Sequence, residues 1–175
     1  MRWEESVFAL FDDLEMQAEG LASEERVGQV ASLADASFAE VTLPSRLHAA
    51  LGADLRVGLV SGPDVRGRLT RVGAGWLLLD ASGAEWLVRL DAVTYLDGAG
   101  HGSVPEDLWS MTARLSVRSV LRRIASDRRP VVLHLVGGGQ VSGSLGRVGA
   151  DFLELRTATG ELAVLLARVA AVRPS

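Results

Sequence analysis

Val65-Arg66-Gly67-Arg68-Leu69-Thr70-Arg71-Val72-Gly73-Ala74 recurs as Val141-Ser142-Gly143-Ser144-Leu145-Gly146-Arg147-Val148-Gly149-Ala150. The two stretches lie 76 residues apart, and at that shift segments 55–96 and 131–172 align without a gap. Sixteen of the 42 aligned positions are identical, and several of the others exchange one apolar residue for another. Two copies of one module in a single chain account for this.

Within a copy, apolar residues alternate with polar ones, the spacing of half-buried strands. The pattern predicts strands at 55–61, 64–72, 75–81, 84–90 and 92–96, and five more at a shift of 76. Gly62-Pro63 and Gly138-Gly139 mark the first turn of each copy, and Ser82-Gly83 and Thr159-Gly160 a later hairpin. Val57, Leu59, Val65, Leu69, Leu77, Leu79, Trp86, Val88 and Leu90, with their partners, form the expected cores. Gly67 and Gly143 fall inside the long second strand, where a missing side chain permits the bend of a small barrel. A helix over Leu43–Leu51 precedes the first copy. Ser103-Val104-Pro105-Glu106 reads as a capping box opening a longer helical stretch to about residue 126.

The fold class expected is mainly β with helices (α+β): two tandem five-stranded SH3-like barrels, each preceded by a helix, behind an N-terminal helical arm. The divisions are 1–42 for the arm, 43–97 for the first helix and barrel, 98–129 for a linker and Arg-rich helix, and 130–175 for the second barrel. A single continuous sheet, or a strand in the arm, would contradict this expectation.

The run carried best by Leu133, Leu135, Gly138, Val141, Gly143, Leu145, Val148, Asp151, Phe152, Leu153 and Leu155 resembles the Sm and Sm-like superfamily, bacterial Hfq in particular. The layout is also similar to tandem-barrel proteins of actinobacteria. The resemblance covers about 42 residues per copy and implies the barrel, because most of its residues are core and turn positions. It implies RNA binding only where the family's contact residues are present. Where Sm proteins place a base-holding Asn, this chain has Leu77 or Leu78, and Leu153 or Glu154. Where Hfq has Tyr-Lys-His, it has Arg89-Leu90-Asp91 and Leu165-Leu166-Ala167.

The chain has no cysteine, which removes disulfides, thiol catalysis and Cys-based zinc sites and leads to an expectation of cytoplasmic residence. No apolar run reaches the roughly 18–20 residues of a membrane span. All eighteen basic residues are Arg, and the net charge of −4 is unevenly spread. Residues 1–41 carry ten carboxylates against two Arg, a balance of −8, whereas residues 42–175 carry sixteen Arg against twelve carboxylates, +4. The acidic arm holds Trp3, Phe11 and Leu14 on one helical face, fit either to pack on the barrels or to dock a partner.

Two sets of residues are candidates for recognition. Trp76 and Leu78 alternate out of phase with core residues Leu77 and Leu79, so they face outward. Leu87, Phe152 and Leu165 join them. Such a surface needs cover from a helix, from the other barrel, or from a protein partner that includes another copy. The second set is Arg114, Arg118 and Arg122, at helical spacing, with Arg123, Arg128 and Arg129 beyond. These could follow a nucleic-acid backbone or pair with the acidic arm. His48, His101 and His134 lack metal-ligand spacing, and His134 is expected to point outward. No nucleophile stands beside a recognisable base, so neither enzyme activity nor a cofactor or metal is expected. The leading expectation is a non-catalytic adaptor acting on an unidentified protein or on itself. An RNA- or DNA-binding regulator is the alternative.

Overall fold

A computed structural model describes residues 38–175, and the expectations for Trp3, Phe11, Leu14 and the helical arm lie outside them. The described chain is mainly β, with ten antiparallel strands and two helices. The first helix, α1 (Leu43–Ala49), is capped by Thr42, whose hydroxyl accepts from the Ser45 amide. The strands β1 (Asp54–Leu59), β2 (Val65–Gly73), β3 (Trp76–Ala81), β4 (Ala84–Arg89) and β5 (Val93–Asp97) follow. Two short 3-10 turns then lead to α2 (Val117–Ser126). The last five strands are β6 (Pro130–Leu135), β7 (Gln140–Val148), β8 (Phe152–Thr157), β9 (Gly160–Leu165) and β10 (Val169–Pro174). The strand positions agree with the period-two reading to within a residue or two.

The sheet runs β5-β1-β2-β3-β4-β10-β6-β7-β8-β9. This corrects the expectation of two separate five-stranded barrels, since the ten strands form one continuous sheet. β4 and β10 pair antiparallel, Val88 opposite Ala171 and Leu87 opposite Val172, and so join all ten strands into one sheet that is not closed. The physical reason is that β4 and β10 each present an unpaired row of backbone groups, and pairing satisfies both rows.

Apolar residues collect in two clusters. One centres on Leu47, Val57, Leu69, Leu77, Leu79 and Val88, and the other on Leu121, Leu133, Leu145, Leu153, Leu155 and Val169. Each borrows across the joint: Ala171 belongs to the first cluster, and Trp76 and Leu87 to the second. The register shifts between Leu69 and Arg71 in β2, and between Leu145 and Val148 in β7, which lets both long strands bend. Among the described residues, no helix is long and apolar enough to cross a membrane.

Candidate protein interface

Trp76, Leu78 and Leu87 do leave the core of their own half, and the chain itself covers them. The Trp76 ring lies on Gly73, where a Cβ would come within 2.2 Å of it. Its Nε1 donates to the Leu115 carbonyl at 2.7 Å. Trp76 is 4% exposed and Leu87 2%, packed in the cluster that also holds Leu121, Val131 and Val172. Leu78 is half-buried against the same cluster, as are Val117, Val120 and Ile124 of α2. These three residues are therefore spent on an internal contact.

The same contact corrects the length of the second helix. Ala74 bridges Ser116, and Leu115 gives its carbonyl to Trp76, so residues 115–116 are held extended. The helix starts only at Ser116, whose hydroxyl accepts from the Ser119 amide. The expected capping box at Ser103 opens no α-helix. Arg114 consequently sits in a 3-10 turn, and the expected run of Arg114, Arg118 and Arg122 along one helix is broken. All six candidate Arg are exposed. Arg118 and Arg122 turn back to donate to the carbonyls of Ala150 and Val148, at 3.3 and 3.5 Å. The acidic partner considered for these Arg lies outside the described residues.

At the far end of the sheet the equivalent face is open. Phe152 stands 76 residues beyond Trp76 and lies on Gly149 as Trp76 lies on Gly73, yet it is 36% exposed. Leu165 is 55% exposed, and Leu162, the partner of Trp86 and so expected in the second core, is instead 43% exposed. Both lie on β9, which pairs only with β8. Glu154, at the place of Leu78, forms a two-pronged ion pair with Arg147, at 2.8 and 3.0 Å. That bond holds the Glu154 carboxyl below its ordinary range.

The opposite edge, β5, carries Tyr95, another residue not singled out from the sequence. Its ring lies over Gly58 and beneath the Arg56 guanidinium, and its hydroxyl donates to Asp64 at 2.6 Å. The bonds from Tyr95 and Arg56 hold the Asp64 carboxyl below the usual carboxylate range.

His134, expected to point outward, is only 3% exposed, because the other half of the chain covers it. Its ring packs at a tilt against Trp86 of the other half with ring centroids 4.8 Å apart, and Arg173 lies over the same Trp86 ring. Burial, and secondarily Arg173, lowers its pKa. His48 stacks on Trp109 at 4.3 Å, and burial lowers its pKa as well. Among the described residues, no group of three or more His, Asp or Glu could hold a metal ion. No protein-family model matches this chain, and no curated protein matches it either.

Proposed function

We propose that the chain is a non-catalytic assembly module: two Sm-like barrels, fused through β4 and β10, that join other protein surfaces through their outer sheet edges. The fused-barrel reading is supported by the strand order. β5-β1-β2-β3-β4 and β10-β6-β7-β8-β9 are the same order at a shift of 76, each half with its own cluster of buried residues. One observation carries the assembly reading: Phe152, Leu162 and Leu165 stand exposed beside the unpaired edge of β9. An unpaired strand edge flanked by apolar side chains is a template for another chain.

The test is a photoreactive amino acid at Leu165 in the full chain, activated in the native host. The expected product is a covalent adduct to protein, identified by mass spectrometry. Adducts to nucleic acid alone, or none, would contradict the reading. The alternative, nucleic-acid binding through Arg114, Arg118, Arg122, Arg123, Arg128 and Arg129, draws support from their exposure. A mobility shift with RNA or DNA that weakens steeply with salt would favour it.

A further inference from the structure

We infer that the groove between the two helices and the outer face of β2–β4 binds a small carboxylate with an apolar body, its head held by Arg71. The groove is a cavity of about 590 Å³, within the range of about 300–1,000 Å³ usual for small-molecule sites. Three parts of the chain build it. Leu51 follows α1, Arg71, Trp76 and Leu78 lie on β2 and β3, and Val120 and Arg123 come from α2.

The second copy shows what an arginine at this place takes. Arg147, 76 residues beyond Arg71, holds the Glu154 carboxylate through its Nε and one terminal nitrogen, at 3.0 and 2.8 Å. Glu154 stands at the place of Leu78, which lies opposite Arg71 in the register of β2 and β3. The first copy therefore keeps the arginine and loses its acid. Among the described residues the Arg71 guanidinium makes no hydrogen bond or ion pair, and neither does that of Arg123. A planar guanidinium takes a carboxylate by two parallel bonds. Within the second copy the chain supplies that carboxylate, and at the first copy a ligand supplies it.

The same exchange makes the floor of the cavity apolar. Leu78 is only half-buried by α2, and Leu51, on the wall, is 49% exposed. Nearby polar groups are already spent. The Thr70 hydroxyl donates to the Leu78 carbonyl at 3.1 Å, and the Trp76 Nε1 to the Leu115 carbonyl. A body rich in hydroxyls or amides would lose water there for few partners, whereas an alkyl or aryl body covers the floor without that cost. Charge selects the head. Arg71 and Arg123 share the cavity with one carboxylate, Glu85, a balance of +1. His48 adds nothing to it at neutral pH, because burial lowers its pKa and its Nε2 is enclosed without a partner. That balance suits a single negative charge.

The experiment is isothermal titration calorimetry of the full chain near neutral pH with octanoate and with phenylpropionate. Acetate and octanol serve as the head and the body alone. At least one of the two amphipathic carboxylates is expected to bind at one site per chain, with acetate and octanol about tenfold or more weaker. Arg71→Gln, at an exposed position, is expected to weaken that carboxylate by the same factor and to leave octanol as it was. Arg147→Gln is expected to change nothing, because Arg147 lies outside the cavity. Leu78→Glu is expected to engage Arg71 as Glu154 engages Arg147, and so to abolish binding. If that half-buried position does not tolerate the change, Arg71→Gln decides alone. No heat with either carboxylate at millimolar concentration would overturn the inference. So would octanol binding as tightly as octanoate, binding that Arg71→Gln leaves intact, or an equal loss on Arg147→Gln, since each removes the Arg71 guanidinium from specific recognition.

Discussion

Gly67 and Gly143 lie where the second strand of each half passes under the third. A Cβ at Gly67 would sit 2.4 Å from the Asp80 carbonyl oxygen, and one at Gly143 2.3 Å from that of Arg156. Backbone oxygen cannot swing aside as a side chain can. Gly67→Ala and Gly143→Ala should each destabilise the fold by about 1–3 kcal/mol, read as a lowered urea midpoint. Unchanged midpoints would mean the strands can part without cost. These two glycines were legible because a glycine inside a period-two run has few other uses. His134 was not legible: its own strand places it on an outer face, and the cover comes from Trp86, 48 positions earlier. Its pKa is lowered, so the folded chain holds the imidazole neutral while the unfolded chain takes up a proton near 6.5. Stability is therefore full above that pH and falls as pH descends below it. His48 contributes with the same sign. Urea midpoints should drop between about pH 7 and about pH 5, and His134→Phe should flatten part of that slope. A slope unchanged by His134→Phe would remove this residue as its source.

At the scale of elements, the strands were readable because alternation and turn residues act locally, and each strand meets its hairpin neighbour within a few residues. The start of α2 was not, because Trp76 dictates it from a distance by taking the Leu115 carbonyl. The outer face of β3 and β4 was legible as a surface needing cover, but which element supplies the cover is a matter of tertiary contact. The two aromatic positions make a matched comparison. Trp76→Ala, at a residue 4% exposed, should cost about 3–5 kcal/mol in urea or thermal unfolding. Phe152→Ala, at a residue 36% exposed, should cost clearly less in an isolated copy. Equal losses would mean that Phe152 is covered in solution. Arg118→Ala and Arg122→Ala each remove a bond to a carbonyl of the β7–β8 turn. Surface bonds of this kind contribute little, so unfolding midpoints should move by less than about 1 kcal/mol. A larger loss would show that α2 depends on them.

Across the whole molecule, the sequence repeat implied two similar halves and left their mutual arrangement open. Strand pairing at the joint uses backbone groups that every residue carries, so nothing in the alternation distinguishes an inner strand such as β4 from an outer one such as β9. The concerted exchanges are the signal that could have been read. Trp86, His134 and Ala171 lie at the joint, and the equivalent places at the outer edges hold Leu162, Gly58 and Tyr95, large residues shifting to another strand. Amide hydrogen exchange, followed strand by strand, tests most directly whether β4 and β10 join the two halves inside one sheet whose outer edges are β5 and β9. The amides of β4 and β10 should be protected as those of the strands inside each half are, and the outward amides of β5 and β9 should exchange faster. Exchange at β4 and β10 as fast as at β5 and β9 would contradict it.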